Sequence, residues 1–205
     1  MKKTIPILGL TLASFLPIKT TTAQTQNLTP ETQIAINFLK NLEYQVGISR
    51  VNLKDDDLGY IFDNQYGINL GIQKPIKKNF YLGINANINW AKDTENGYKD
   101  KLNSNEFCID LGYKLPLNEK ASISAEVGLK TNKTKYKSED TIYDEIYKKA
   151  YSGTGYEINL IYGRMISDNI KIFGKLNTSN INSDNEDEID LSSTNITAGI
   201  KFSLK

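Results

Sequence analysis

Apolar residues alternate with polar or small residues along most of the chain after residue 43. Between Phe80 and Trp90 every even position is apolar, and tyrosine, glycine or asparagine occupies the odd positions. A period of two over this length predicts a β-strand with two unlike faces. The sequence predicts eight such strands of about nine to eleven residues. They are 44–53, 65–73, 80–91, 106–115, 121–130, 155–164, 170–178 and 195–205.

Two of these segments break the alternation at one point. The first loses its parity near Arg50, and the seventh places Phe173 among the polar positions. A β-bulge, which inserts one extra residue into a strand, would explain either break.

The connections between the predicted strands alternate between short turns and long polar loops. The turns lie around 74–79, 116–120 and 167–169, and the loops at 54–64, 92–104, 132–153 and 180–192. Strict alternation of this kind is typical of an up-and-down meander, and an even number of strands places both chain ends on the side of the short turns. The predicted fold is therefore an all-β, eight-stranded antiparallel barrel over residues 44–205.

The residues before the barrel form two segments. Lysines, an apolar run and small residues before Gln24 predict a signal peptide over 1–23, because the run is too short to span a membrane as a helix. Residues 24–43 form a lead-in with a short amphipathic helix at about 30–42, which Thr29 caps and Pro30 begins. This helix is expected either to lie at a membrane surface or to pack beside the barrel.

Alternation alone does not say which face of the barrel meets apolar surroundings. A soluble barrel turns its apolar face inward, but here the polar face is rich in glycine, asparagine and serine, which suit a narrow lumen. Aromatic residues mark the ends of the apolar face, where girdles of a membrane barrel lie. They are Tyr66, Phe80, Trp90, Phe107, Tyr113 and Tyr156. The apolar face is therefore expected to face lipid.

The charge and composition of the chain argue against several kinds of partner, catalytic site and metal site. Without residues 1–23 the chain has 22 basic and 24 acidic residues, a net charge of −2, which argues against a nucleic-acid partner. Histidine is absent and Cys108 is the single cysteine, so the usual catalytic triads and zinc sites are not available. The acidic stretches 55–57 and 184–190 lack the glycine and closing glutamate of an EF-hand. No cofactor, metal or catalytic residue is expected.

The predicted lumen carries ionisable side chains. They are Glu106, Asp110, Lys114, Glu126, Lys130, Glu157, Lys171, Lys175 and Lys201. A hairpin centred on Asn118 would set Glu106 opposite Lys130 and Asp110 opposite Glu126. Two neighbouring carboxylates need a cation or a shared proton, so Lys175 or Lys201 is expected to bridge them. Such a network would act either as a gate or as a plug of ion pairs that fixes the register of the barrel.

The last strand resembles the carboxy-terminal assembly signal of bacterial outer-membrane barrels. Its matching residues are Thr197, Gly199, Phe202 and Leu204, although the chain ends on Lys205 rather than on an aromatic residue. The segment from residue 44 resembles the small eight-stranded barrels of the OmpX/Ail/Opa kind and the membrane domain of OmpA, without the peptidoglycan-binding domain of OmpA-type proteins.

This resemblance implies a barrel in the outer membrane of a Gram-negative bacterium, with extracellular loops and periplasmic termini. The implied partners are outer-membrane lipid and the assembly machinery, and the implied role is structural or adhesive rather than enzymatic. The loop at 132–153 carries tyrosines beside charges of both signs, which suits contact with a surface protein or glycan. A narrow ion or small-solute pore and a soluble periplasmic lipocalin-like barrel remain as alternatives.

Overall fold

Eight antiparallel strands close into a barrel. The computed structural model describes residues 42–55, 58, 61–62, 64–95, 97–184 and 190–203. The strands are β1 Glu43–Leu53, β2 Gln65–Lys77, β3 Phe80–Glu95, β4 Tyr98–Pro116, β5 Ala121–Asp140, β6 Glu145–Ser167, β7 Ile170–Ser183 and β8 Ser193–Ser203. Each strand pairs with its neighbours in the sequence, and β1 pairs with β8. The predicted fold class is confirmed.

The strands are inclined to the barrel axis. A path of paired residues that starts at Glu43 and crosses each strand in turn returns to β1 at Leu53, a displacement of ten residues. A displacement between the first and last strands is the stagger that a closed barrel of tilted strands requires. Eight strands at this stagger leave an interior that side chains can fill.

The apolar face of the barrel points outward. Ile84, Ile109 and Leu160 are each about half exposed, whereas Asn85, Asp110 and Asn159 beside them are almost fully buried. We call the outward-facing band of apolar residues the apolar belt. It consists of every second residue, the one that points outward, in the ranges 44–48, 66–72, 80–90, 107–115, 123–129, 156–164, 170–176 and 196–202. The soluble alternative, with an apolar interior, is therefore wrong.

Four strands are much longer than expected. We call the end with the three short turns the turn end, and the other the hairpin end. At the hairpin end, β3 and β4 continue to Glu95 and Tyr98, and β5 and β6 continue to Asp140 and Glu145. Most of the expected loops 92–104 and 132–153 is thus paired strand. The expected strand length of nine to eleven residues is wrong for β2 to β7, which have 13 to 23 residues.

The paired part of β3–β6 beyond the apolar belt has an apolar interior. We call residues 91–103 and 131–154 the hairpin extension. Inside it, Leu58 and Phe62 of the β1–β2 connection pack with Ala91 and Leu102, and Tyr151 packs with Ile181 and Leu191. Tyr136 lies against both groups. The alternation therefore continues past the belt, but the apolar residues now point inward.

The two expected bulges do not occur. Phe173 lies inside the lumen in regular register, because Gly47 and Gly199 opposite it leave the space that a Cβ would fill. β1 is likewise paired without a break around Arg50, which is exposed. The register shifts occur instead between Pro75 and Lys77 and between Met165 and Ser167, beside the short turns.

The predictions for the N-terminal segments fall outside the part of the chain that is described. This applies to the signal peptide at 1–23, to the helix at 30–42 except Leu42, and also to Leu204 of the last strand. Among the described residues, no helix is long and apolar enough to cross a membrane.

Candidate functional site

Buried lysines and carboxylates meet in the middle of the lumen. Lys130 Nζ lies 3.0 Å from Glu106 Oε2 and 3.6 Å from Glu157 Oε2. Lys175 Nζ lies 3.7 Å from Glu157 Oε1 and 3.8 Å from Glu126 Oε2. All five side chains are buried, so the two lysines link three carboxylates across strands β4 to β7 in a space with little water.

Neutral side chains donate further hydrogen bonds to the carboxylate of Glu126. Its Oε1 accepts hydrogen bonds from Gln73 Nε2 at 2.7 Å and from the Tyr81 hydroxyl at 2.8 Å. Asn159 Nδ2 donates to Glu126 Oε2 at 3.0 Å and to Glu157 Oε1 at 2.8 Å. Hydrogen bonds from several strands hold this carboxylate in one position, which links β2, β3, β5 and β6 through the lumen.

Asp110 lies beside Cys108 and Glu157. The three ligand atoms lie within 4.8 Å of one another, so their geometry could hold a metal ion. Asp110 already accepts hydrogen bonds from the Cys108 thiol, at 3.0 Å, and from Asn85. Glu157 already contacts Lys130 and Lys175. Because nearby donors satisfy both carboxylates, nothing in the group requires a cation.

The β4–β5 register differs from the expected one by two residues. Glu106 pairs with Asn132 and Asp110 pairs with Gly128, rather than with Lys130 and Glu126. The cause lies in the turn, where Asn118 Oδ1 accepts hydrogen bonds from the amides of Lys120 and Ala121 and the chain reverses around residue 119. Glu106 and Lys130 still meet diagonally. The expected lysine bridge joins Glu126 to Glu157 rather than to Asp110.

A second group of charges lies at the turn end. Lys171 Nζ and Lys114 Nζ contact the same oxygen of Glu43, the second at 3.5 Å. Lys114 and Lys171 lie at this open end of the lumen and are partly exposed, unlike the charges in its middle. Lys201 is buried and donates to Gln73 Oε1 at 2.8 Å. Gln73 thus separates Lys201 from Glu126.

All six residues of the expected aromatic girdle are exposed on the outer face. Phe80 and Tyr113 are paired near the turn end, with their ring centroids 5.0 Å apart. Trp90 and Tyr66 are paired toward the hairpin end. Phe107 is paired with Ala86, four positions from Trp90 toward the turn. Tyr156 pairs with Leu129.

The residues of the expected assembly signal lie on both faces of β8. Thr197 is buried in the lumen. Gly199 shares this parity, and a Cβ there would meet Val46 O at 2.2 Å. Phe202 stacks on Tyr44, with ring centroids 5.5 Å apart.

Four lysines form a row across the outer face of the hairpin extension. Lys92 pairs with Lys101, which pairs with Lys137, which pairs with Lys148. We call these four residues the lysine row. Lys99, Lys133 and Lys135 share this face, and Glu139 Oε2 lies 3.0 Å from Lys137 Nζ.

The tip of the β5–β6 hairpin has an aspartate cap. Asp140 Oδ1 accepts hydrogen bonds from the amides of Ile142 at 2.8 Å and Tyr143 at 3.1 Å. The Ile142 bond is the main cause that lowers the pKa of Asp140 below its usual 3.8. The neighbouring Glu139 also has a lowered pKa, because Lys137 donates a hydrogen bond to it.

The sequence interpretation did not identify the lysine row. Lysines at 133, 135 and 137, and at 99 and 101, recur with a period of two, so they share one face of a strand. That period was the available signal. It lay in segments interpreted as loops, where a shared face has no meaning.

The comparisons agree with this architecture. The family model for the outer membrane protein beta-barrel domain matches residues 15–202. No curated protein sequence matches the chain. Solved structures with the same fold share little sequence with it, so they bear on the fold alone.

Three of these structures cover most of the chain. Ail, the attachment invasion locus protein of Yersinia pestis, in complex with the heparin analogue sucrose octasulfate, is 17% identical, with a TM-score of 0.53 over 78% of this chain and 97% of that one. Neisserial surface protein A is 9% identical, with a TM-score of 0.59 over 80% and 97%. A major outer membrane protein from Thermus thermophilus is 9% identical, with a TM-score of 0.55 over 80% and 99%. Because the family model covers nearly the whole chain, this protein belongs to the outer membrane protein beta-barrel domain family.

Proposed function

We propose that this protein is a non-enzymatic outer-membrane barrel that contacts polyanionic glycans at the cell surface through the lysine row. The observation that carries the proposal is the direct pairing of Lys92, Lys101, Lys137 and Lys148 on four adjacent strands. Like charges directly opposite one another destabilise a sheet, and Glu139 forms an ion pair with Lys137 alone of the four, so a bound polyanion would relieve the remaining repulsion.

The shape of the row suits a linear polyanion. Adjacent strands lie about 4.8 Å apart, so four lysines on four strands span about 14 Å. Lys135 and Lys133 lie on the same face toward the apolar belt, and Lys99 lies toward the tip. A sulfated or phosphorylated sugar chain could therefore contact several ammonium groups at once. Ail, which shares the fold, has been solved with a heparin analogue.

The interior supports a structural role for the barrel rather than a pore. Lys130, Lys175 and their carboxylate partners cross the middle of the lumen, and Leu58, Phe62 and Leu102 fill it toward the hairpin end. An ion would have to displace both layers in order to pass. The charge network is proposed to fix the register of the strands.

The proposal places the hairpin end outside the cell and both termini in the periplasm. Short turns on the periplasmic side and long connections outside are typical of outer-membrane barrels. In this orientation the lysine row lies beyond the apolar belt, where soluble or cell-bound glycans can reach it. Lipid contacts the belt, and the assembly machinery is expected to bind the strand that contains Thr197, Gly199, Phe202 and Leu204.

Binding of sucrose octasulfate tests the proposal in two formats. Purified protein in uncharged detergent should bind it, and the triple variant Lys101→Gln, Lys137→Gln, Lys148→Gln should lose at least tenfold in affinity. The matched control is Lys74→Gln, Lys77→Gln, Lys120→Gln, which removes the same charge near the turn end and should bind as the parent does.

A fluorescent sulfated oligosaccharide on intact cells tests the orientation. Binding to purified protein but not to cells would contradict the orientation alone. Equal losses in the two triple variants would overturn the proposed role of the row, because the attraction would then reflect net charge only.

A further inference from the structure

A cavity of about 140 Å³ opens into the lumen at the turn end. Its charged lining residues are Glu43, Lys78, Lys114, Lys171 and Lys201. Four lysines against one glutamate give this cavity an excess of three positive charges. Ser122 and Ser124 also line it and bring hydroxyl groups that can donate hydrogen bonds.

Lys201 is the unusual member of this set. Its side chain is more than nine-tenths buried, and among the described residues no carboxylate lies within ion-pair distance of its ammonium group. Its contacts are the neutral Gln73 Oε1 at 2.8 Å and the ring of Phe173, whose centroid is 5.3 Å away. A buried ammonium group without an anion is costly, so the cavity beside it favours a negative occupant.

The distribution of lumen charges points the same way. In the middle of the lumen, Lys130 and Lys175 face four carboxylates, those of Glu106, Asp110, Glu126 and Glu157. At the turn end the excess is reversed, and Gln73 lies between Lys201 and the nearest of these carboxylates. The positive excess therefore lies where the barrel opens to water, and an anion in solution can reach it.

We propose that this cavity is a binding site for a compact oxyanion of the phosphate or sulfate class, held by Lys201, Lys171 and Lys114. Glu43 holds Lys114 and Lys171 at the rim through one shared oxygen, so both ammonium groups keep donors free for the anion. Lys201 forms the inner wall. The site is independent of the lysine row, which lies at the opposite end of the barrel.

Titration calorimetry with inorganic phosphate tests the site in octyl glucoside micelles, which contain no phosphate, at low ionic strength and pH 7. The parent protein should bind one phosphate saturably, and phosphate should raise its unfolding temperature by mass action. Lys201→Met should weaken binding at least tenfold and abolish the thermal shift. Lys120→Met, which removes an exposed lysine of the turn end outside this cavity, is the matched control and should change neither.

A second variant guards against misfolding. Lys171→Gln changes a partly exposed rim residue and should weaken phosphate binding while the barrel remains heat-modifiable on a gel. Absence of saturable binding to the parent would overturn the proposal. An equal loss in Lys201→Met and Lys120→Met would also overturn it, because the attraction would then be non-specific. Sulfate in place of phosphate shows whether the site distinguishes the two anions.

Discussion

The apolar belt and the hairpin extension are parts of the same strands built with opposite patterns. In the belt, β4 turns Ile109 and Leu111 outward and buries Asp110 in the lumen. In the extension, the same strand buries Leu102 and turns Lys101 outward. The strand keeps its period of two, and the surroundings of its outer face change from lipid to water.

The difference shows that the pleat of a strand and the position of its apolar residues are separate properties. The pleat continues without interruption from Tyr98 to Pro116. The apolar residues follow whichever side is away from water, which is outward in the belt and inward in the extension. A long hairpin of a membrane barrel can therefore have its own apolar core, packed as in a water-soluble protein.

Replacing a buried charged residue inside the belt by an apolar residue, of the kind that fills the extension, should destabilise the barrel. Lys130→Met removes the cation that Glu106 and Glu157 share, at 3.0 and 3.6 Å. Breaking a buried pair while its partner stays charged costs about 3–5 kcal/mol. We expect a loss of this size in the free energy of unfolding, measured by urea titration of the protein in lipid vesicles.

The control for this variant is Lys133→Met, three residues along β5 on the exposed outer face of the extension. Exposed charges contribute little, so its cost should stay below about 0.5 kcal/mol. Similar costs in the two variants would show that the lumen charges are not structurally important.

This contrast also explains what the sequence could and could not predict. In the belt, alternation such as Phe80 to Trp90 revealed the strands, and the small polar residues of the opposite face together with the aromatic residues indicated that the apolar face points outward. In the extension, Leu102, Tyr136 and Tyr151 carry the pattern in the inverse phase, and lysines occupy the other face. Because the apolar residues change from one face of the strand to the other at this point, the sequence pattern was interpreted as the end of the strand.

The sequence predicted which charged residues lie in the lumen, but not which of them contact one another. Parity placed Glu106, Asp110, Glu126, Lys130, Glu157, Lys175 and Lys201 on the inner face, where all seven are buried. Their partners depended on the register, and the Asn118 turn shifted it by two residues. They also depended on contacts across the lumen, such as Gln73 with Glu126, which join strands that are not neighbours.

Two leucines of β4 compare the two apolar environments directly. Leu102→Ala should cost about 3 kcal/mol, because a solid core keeps the cavity that the lost atoms leave. Leu111→Ala should cost less, about 2 kcal/mol, because lipid chains fill the space and only the transfer free energy is lost. Leu102 is fully buried, whereas Leu111 is 47% exposed on the belt.

Amide exchange in vesicles would separate these two effects by location. Leu102→Ala should lower protection in the extension around residues 131–140 and leave the belt unchanged. Leu111→Ala should leave both regions protected. If Leu102→Ala loosened the belt as well, the extension would not be a core of its own.

The smallest expected effect concerns the two ends of β5, which have similar turns that differ in their ability to titrate. Asp140 caps the hairpin tip with hydrogen bonds to the amides of Ile142 and Tyr143, and Asn118 caps the opposite turn in the same way. The folded pKa of Asp140 is below its usual 3.8, so the cap contributes stability above that value and loses it as the pH falls further. Amide exchange at Ile142 and Tyr143, corrected for the intrinsic rate, should therefore accelerate below pH 3.8, while Lys120 and Ala121 show no such change. Asp140→Asn keeps the acceptor oxygen without its proton equilibrium and should abolish the pH dependence. If the dependence persisted in that variant, the acid sensitivity of the tip would arise from another group, with Glu139 beside Lys137 the first to examine.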